Sequence, residues 1–457
     1  MDEIIKKYKG KKIVILGLAK SGTTIAKILH KLGAQVIVND AKQDECTEKK
    51  ELVDLGIEVI CGGHPENLID KNVYLLIKNP GIPYTIAPIK QAILLNIPII
   101  TEVEIAYELS KAPIIGITGS NGKTTTTTLI GEIIKEAGFK PVVAGNIGIV
   151  LSEQALLINK EEVLVAELSS FQLKGTISFH PHIAILLNIY PAHLDYHRTI
   201  EDYILSKSKI FINQNEKDFA VLNLNCKECL NLTSTINSQK YYFSTKGKDS
   251  IKKGAYIENN KIYWIDGDEE VEVVSLDDIF IKGAHLENAL AALIASRLYG
   301  ADFDSIRRVL KNFKGVEHRL EFVLMTKDHV SFYNDSKATN PQATITALNS
   351  FKKPIILLAG GLDRGIDFLE LVEPFNKQVK ILITFGQTAN KLKEIGIMAG
   401  IEFIYTVDNV TEAVQLSLSL ANNEDNVVLS PACASWDMFS SFEERGRMFK
   451  EVVHKYK

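Results

Sequence analysis

The sequence predicts three α/β domains in a single chain of 457 residues. Three observations carry that expectation. The length exceeds one ordinary domain and suits two or three. Short apolar, strand-like runs alternate with segments whose apolar residues recur at helical spacing. The alternation restarts near 102 and again near 316. A composition of 46% hydrophobic and 24% charged residues is that of a folded globular chain and excludes disorder.

The first domain is read over 1–101. Ile13-Val14-Ile15-Leu16 forms a strand, Gly17 to Gly22 a turn, and Ile25, Ile28, Leu29 and Leu32 the apolar face of the helix that follows. A second strand, Val36-Ile37-Val38, ends at Asn39-Asp40, where an open parallel sheet presents its ligand edge. Asn79-Pro80-Gly81 is a turn, and Ile97 to Ile100 closes the domain. The second domain, 102–315, opens with a strand at Ile114 to Thr118, with further strands near 163–167 and 183–188. Its segment from 218 to 282 is polar and β-forming, and predicts an antiparallel element. The third domain, 316–457, holds strand runs at Ile355 to Ala359, Ile381 to Phe385 and Val427 to Leu429.

A formal net charge of -4 offers no long-range attraction for nucleic acid or anionic lipid, so phosphate-bearing ligands must be held by local groups. The first twelve residues lack the apolar core of a signal peptide, and no apolar run approaches the ~20 residues that span a bilayer. A cytoplasmic protein with neither membrane nor nucleic-acid partner is expected. Its five cysteines, Cys46, Cys61, Cys226, Cys229 and Cys433, are too scattered for a disulfide framework and are expected reduced. Cys226 and Cys229 form a C-x-x-C pair. No second pair completes a zinc site, so it is read as part of an ordinary loop. Cys433 is read as a small buried thiol rather than a nucleophile.

The most specific segment is Thr118-Gly119-Ser120-Asn121-Gly122-Lys123-Thr124-Thr125, between a strand and a helix with apolar positions Leu129, Ile130, Ile133, Ile134 and Ala137. Glycines let backbone N–H groups converge on phosphate oxygens, and the helix N-terminus adds a favourable dipole. Lys123 neutralises the β- and γ-phosphates, and the Thr124 hydroxyl is a Mg²⁺ ligand. Ile117 stands where the strict phosphate-loop pattern has glycine, leaving a shorter G-x-x-G-K-T. ATP binding is the expectation.

That shortened loop resembles the nucleotide loop of the Mur ligases and folylpolyglutamate synthases. Gly145-Asn146-Ile147-Gly148, Glu167-Leu168-Ser169-Ser170-Phe171-Gln172, Asn188 to Asp195 and Gly283 to Asn288 follow in the order of the Mur ligase motifs, so the resemblance covers nearly the whole chain. It implies an amino-terminal Rossmann-like UDP-binding domain, a central P-loop ATPase-like domain and a carboxyl-terminal Rossmann-like domain that binds the amino acid. It also implies that Glu167 completes the Mg²⁺ shell begun by Thr124, that His193 meets a second Mg²⁺ or a substrate phosphate, and that Asn146 belongs to a substrate loop. Lys207 falls where the family carries a carbamylated lysine that helps hold the second Mg²⁺, with Lys209 as the alternative. Carbamylation needs a neutral amine, which burial or a neighbouring cation supplies. Asn288 would read adenine, although one asparagine fewer follows His285 than in relatives, and Ala192 replaces an aspartate that many relatives have.

In the third domain, His318-Arg319-Leu320-Glu321 and Asn334-Asp335-Ser336-Lys337-Ala338-Thr339-Asn340 carry the resemblance further. It implies that Arg319 and Asp335 reach the nucleotide, while Lys337 and Thr339 approach the reacting centre and the incoming amino acid. The latter motif, with Ser430 to Gly446, resembles family members that add D-glutamate. Ser435 would then bond a glutamate carboxylate, Phe442 pack on it, and Arg364 pair the second carboxylate. Gly17-Leu18-Ala19-Lys20-Ser21-Gly22 lacks the middle glycine of a dinucleotide fingerprint, which argues against a nicotinamide dehydrogenase, and resembles the family's uridine-diphosphate loop. Lys20 and Ser21 would contact diphosphate, and Asp40 and Lys42 uracil, with a strand-end cap as the other reading of Asp40.

The implied reaction transfers the ATP γ-phosphoryl group to the carboxylate of UDP-N-acetylmuramoyl-L-alanine, in peptidoglycan precursor synthesis. The D-glutamate amine attacks the resulting acyl phosphate. Lys123, Lys207, His193 and Lys337 would be catalytic, two Mg²⁺ ions would serve, and the enzyme would be a monomer whose domains close on substrates. Another Mur-type ligase, a folylpolyglutamate-type ligase or a P-loop binding protein are the alternatives. The last leaves the Asn334 to Asn340 and Ser430 to Ser435 motifs without a reason.

Overall fold

The fold is that of a computed structural model, which describes residues 2–42, 47–190, 192–248, 251–281, 283, 285–351 and 353–456. Cys46 lies outside the described residues. Strands form where the sequence has its short β-branched apolar runs. In the first sheet β1 (Lys12–Leu16), β2 (Gln35–Asp40), β3 (Glu58–Cys61), β4 (Val73–Lys78) and β5 (Ile99–Ile100) pair in the order β3-β2-β1-β4-β5, all parallel. The central strand has Ile13, Val14, Ile15 and Leu16 fully buried, as a strand covered on both faces requires. Only the last two residues of the expected Ile97 to Ile100 run pair as strand, because Pro98 interrupts the ladder.

The second sheet has nine strands: β6 (Ile114–Thr118), β7 (Lys140–Gly145), β8 (Glu162–Glu167), β9 (Ile183–Leu186), β10 (Phe219–Asn223), β11 (Gln239–Ser244), β12 (Lys253–Glu258), β13 (Lys261–Asp266) and β14 (Glu269–Ser275). Their order is β14-β13-β12-β11-β10-β9-β6-β8-β7. Pairing is parallel from β7 to β12 and antiparallel across β12-β13-β14, the element expected between 218 and 282. Helix Lys123–Glu136 follows β6 and buries Leu129, Ile130, Ile133 and Ile134, which share one face at i, i+1, i+4, i+5 spacing.

The third sheet holds β15 (Glu321–Met325), β16 (Ser331–Asn334), β17 (Ile355–Gly360), β18 (Val379–Phe385), β19 (Phe403–Thr406) and β20 (Asn426–Leu429), ordered β15-β16-β20-β17-β18-β19. Only β15 runs antiparallel. By contact density the chain forms two units. One is Met1–Ser275 with Glu287–Val309, containing the first two sheets; the other is Leu276–Leu286 with Leu310–Lys457, containing the third.

Candidate active site

The first unit builds a phosphate loop at the carboxyl end of β6, between β8 and β9. The sheet register sets Ile117 beside Glu167 and Thr118 beside Leu186, so the loop leaves the sheet flanked by both strand ends. Gly122 has φ +84, and a Cβ there would meet Asn288 Oδ1 at 2.1 Å, so left-handed backbone and close packing both demand glycine. Lys123 folds back over the loop, its Nζ donating to the carbonyls of Gly119 (2.8 Å) and Ser120 (2.9 Å).

The segment after β9 braces this loop. Asn188 Oδ1 accepts from the Asn121 N–H at 2.9 Å, and the Asn188 carbonyl accepts from the Ser120 N–H at 3.0 Å. Ser120 Oγ accepts from the Tyr190 N–H at 2.9 Å and meets the Tyr203 hydroxyl at 2.8 Å. Sequence reasoning assigned no role to Asn188 or Tyr203. Residue 188, read as the end of a strand, instead serves this bracing, while the Leu187 N–H donates to the Thr118 carbonyl at 3.0 Å.

Glu167 ends β8 with 2% exposure. Its Oε1 accepts from Asn146 Nδ2 at 3.1 Å, whereas Oε2 is buried with no hydrogen-bond partner among the described residues. A buried carboxylate oxygen left over in this way suits a hard divalent cation, which takes oxygen ligands. Asn146 also donates its N–H to the Glu167 carbonyl at 2.9 Å, and Gly145 before it has φ +110 with no room for a Cβ against that same carbonyl.

Lys207 lies in helix Ile200–Ser208 with 1% exposure, which removes the reading of a solvated helix lysine. Its Nζ donates to the Gly119 carbonyl at 2.9 Å and approaches Thr118 Oγ1 at 3.5 Å. Burial, and then the charge of Lys123, hold its pKa well below the usual lysine value. Lys209 points elsewhere, to the carbonyls of Lys174 and Thr176, both at 2.8 Å. His193 takes φ +55 and stands edge-on to Phe171 at 4.9 Å. Phe171 also stacks on His197, a buried residue absent from the sequence reading. His197 joins Ser170 Oγ (3.0 Å) to Asp202 Oδ2 (2.9 Å) and so ties the helix after Glu167 to the His193 segment.

In the first sheet, helix Lys20–Lys31 starts without a side-chain cap, leaving its first N–H groups for an anion. Lys20 Nζ donates to the Gly148 carbonyl at 2.9 Å, and Ser21 Oγ accepts from Asn79 Nδ2 at 3.5 Å. Asp40 accepts from the N–H groups of Leu18 (2.7 Å) and Lys42 (3.0 Å), fixing the glycine turn against the end of β2. This contact is the strand-end cap; an outward role for Asp40 would come in addition.

The second unit gathers its candidates at the carboxyl ends of β16, β20 and β17, three neighbouring strands. Asp335 accepts from Ser430 Oγ at 2.8 Å and from the Leu320 N–H at 3.1 Å, and burial raises its carboxyl to about 7 despite Arg319 and Arg445. Arg319 Nε is buried without a hydrogen-bond partner among the described residues. Lys337 Nζ stands 5.3 Å from the centre of the Phe442 ring, the guanidinium of Arg364 lies 4.6 Å over Trp436, and Thr339 is half-buried. Ser435 Oγ is buried at 2% exposure and likewise has no partner among the described residues.

Arg445, which carried no sequence-based assignment, is the tie between these loops. Fully buried in helix Phe442–His454, it donates to Ser336 Oγ (3.0 Å), the Ser336 carbonyl (2.9 Å), the Cys433 carbonyl (3.0 Å) and the Gly360 carbonyl (3.4 Å). One side chain thereby fixes the turns after β16, β20 and β17.

Comparison with known proteins places this geometry in a family. "Mur ligase MurD-like, N-terminal domain" matches residues 11–101, "Mur ligase middle domain" 117–296, and "Mur ligase, glutamate ligase domain" 318–433. UDP-N-acetylmuramoylalanine--D-glutamate ligase of Geobacillus kaustophilus is 50% identical over 453 residues, covering 98% of this chain and 99% of that protein. The enzyme of the same name from Bacillus cereus is 49% identical, covering 99% of each. Among solved structures, UDP-N-acetylmuramate-alanine ligase of Thermotoga maritima superposes with a TM-score of 0.55 at 18% identity, over 98% of this chain and 100% of that one. A pseudomurein peptide ligase type C of Methanothermus fervidus gives 0.55 at 20% identity, over 98% and 100%. These two share the fold.

Proposed function

The chain belongs to the Mur ligase family, and from that premise we infer that it joins D-glutamate to UDP-N-acetylmuramoyl-L-alanine, with conversion of ATP to ADP and phosphate, in peptidoglycan precursor synthesis. The observation that carries this reading is likeness at about half identity, over 98% of the chain, to enzymes named for that reaction. We assign 1–101 to the UDP substrate, 102–315 to ATP and 316–457 to the amino acid. The enzyme is a cytoplasmic monomer on this reading, and among the described residues no helix is long and apolar enough to cross a membrane.

Positioning and charge neutralisation do most of the chemical work. Gly119 to Thr125 receive the ATP phosphates, and Lys123 exchanges the carbonyls of Gly119 and Ser120 for phosphate oxygens. Asn288, which packs on Gly122, is assigned to the adenine edge on the family resemblance. The Glu167 oxygen that has no partner among the described residues and the Thr124 hydroxyl would hold one Mg²⁺, and His193 and a carbamylated Lys207 would hold a second. Bound Mg²⁺ neutralises charge on the transferring phosphoryl group. The depressed pKa of Lys207 supplies the neutral amine that carbamylation needs, which favours it over Lys209 as the modified residue. Lys20, Ser21, Asp40, Lys42 and Asn146 hold the nucleotide-sugar substrate. Arg319 and Asp335 meet the nucleotide, and Lys337 and Thr339 the reacting groups. Ser435 donates to a D-glutamate carboxylate, with Phe442 and Arg364 beside it; that its hydroxyl has no partner among the described residues supports this role.

The test is phosphate release from Mg-ATP with UDP-N-acetylmuramoyl-L-alanine, offering D-glutamate, L-glutamate, L-alanine and L-lysine separately. Turnover with D-glutamate alone is expected. Turnover with another amino acid would keep the ligase and overturn the acceptor.

A further inference from the structure

Two cysteines that the ligase reaction does not use lie directly behind the nucleotide loop. Cys226 caps the short helix Lys227–Asn231 and Cys229 sits in its first turn, so the pair expected in a loop is held at fixed spacing. The Cys229 thiol donates to Cys226 Sγ at 2.8 Å, and the Ile189 backbone lies close enough to the same sulfur to help lower its pKa. Ile189 stands between Asn188 and Tyr190, the two residues that hold Ser120 and Asn121. A second connection reaches the same segment. The Cys226 N–H donates to the Asn223 carbonyl at 3.3 Å, and Asn223 Nδ2 donates to the Leu187 carbonyl at 2.8 Å. No group of three or more metal-ligating side chains is present among the described residues, so a metal site does not explain the pair.

We propose that Cys226 and Cys229 are a redox-active dithiol which forms a disulfide by exchange with a low-molecular-weight disulfide, and that closing this bond weakens ATP binding through the Leu187 to Tyr190 segment. Cys226 retains 7% exposure and Cys229 none, so Cys226 meets the oxidant first. The hydrogen bond from Cys229 lowers the Cys226 thiol to about 7, which favours its thiolate, while that bond and burial push Cys229 up. The Cys226 thiolate attacks one sulfur of RS–SR, forming a mixed disulfide and releasing RS⁻. Cys229 then gives up its proton and attacks Cys226 Sγ, releasing the second RS⁻. Two thiols lose their protons, one S–S bond forms, and one external disulfide is reduced to two thiols. Closing the gap between the sulfurs moves Cys226, and through its bond to the Asn223 carbonyl and the bond of Asn223 to the Leu187 carbonyl it disturbs the residues that brace the loop.

The disulfide itself is independent of the nucleotide-site reading; the coupling rests on it. The full chain is treated with glutathione disulfide, digested with trypsin and weighed, and ATP affinity is measured before and after. Peptides 218–227 and 228–240 should appear joined, with ATP affinity weakened by about fivefold or more and restored by dithiothreitol. Cys226→Ser and Cys229→Ser should bind ATP equally well before and after treatment. Failure of the joined peptides to form while Cys61 becomes glutathionylated would overturn the dithiol. Joined peptides with unchanged ATP affinity would overturn the coupling. Should the serine variants misfold, the wild-type chain still decides, because saturating ATP must shift the glutathione midpoint toward the dithiol by the same factor; no shift refutes the coupling. Reduced protein that fails to bind ATP would bring down the nucleotide-site reading and the coupling together, while the peptide masses still decide the disulfide.

Discussion

Replacing Gly122 by alanine tests the nucleotide loop at its tightest point. Its φ of +84 is left-handed backbone, which costs an L-residue about 1–2 kcal/mol. The added Cβ would meet Asn288 Oδ1 at 2.1 Å, and forcing that side chain off its rotamer costs about 0.5–1.5 kcal/mol more. The sum is about 1.5–3.5 kcal/mol, or about 10- to 300-fold if it falls wholly on ATP binding. The strain has two places to appear. Either the free protein carries it and loses stability, or the loop relaxes and ATP must restore it. The two losses should therefore add to a constant, measured by urea denaturation of the free protein and calorimetric ATP binding. In an Asn288→Ala background the second contribution vanishes, so a double-mutant cycle should return about 0.5–1.5 kcal/mol of coupling. A Gly122→Ala protein with both quantities within about 0.5 kcal/mol of wild type would refute the reasoning.

Ser435→Ala should raise the KM for D-glutamate about tenfold, the worth of one hydrogen bond to a charged group, without lowering the melting temperature, because the buried hydroxyl has no partner to lose among the described residues. A lower melting temperature with unchanged KM would contradict it. Lys207→Arg keeps a cation but cannot be carbamylated, and should cost about 10- to 100-fold in turnover. A carbamate carbon signal from labelled bicarbonate should be present in wild type and absent in this variant. Burial raises Asp335 to about 7 from an ordinary 3.8, so it stabilises the fold fully below its unfolded pKa and loses that contribution as pH rises through about 7. Stability of the ligand-free protein should fall by about 2–3 kcal/mol from this group between about pH 5 and about pH 8, and Asp335→Asn should remove that part of the slope. Parallel pH profiles for the two proteins would exclude it.

The sequence revealed the three-sheet organisation because parallel strands buried on both faces must be short apolar runs, as at Val14 and Leu357, and their helices must repeat at helical spacing. The turn at Gly119 to Gly122 was equally legible, since it lies between an apolar strand run and a helix with apolar residues at helical spacing. What escaped was contact between distant segments. Asn188 bonds Asn121 from 67 residues away, and nothing in either segment announces it. His197, Tyr203 and Arg445 are ordinary helix residues in sequence, and their importance comes from burial beside a loop that they fix. The Asp40 carboxylate was readable as a strand-end acid, but the Leu18 N–H that it accepts follows from how the turn folds over the sheet.

Arg445 has a bearing on when this protein acquires its shape during synthesis. A growing chain that has emerged as far as Ser441 already contains all six strands of the third sheet. The turns at Ser336, Gly360 and Cys433 nevertheless stay ungathered until the guanidinium of the last helix arrives among them. The loops that carry Lys337 and Ser435 are thus gathered only after the strands they leave, and removing helix Phe442–His454 would untie them together while taking Phe449, Val452 and Val453 out of the core beneath.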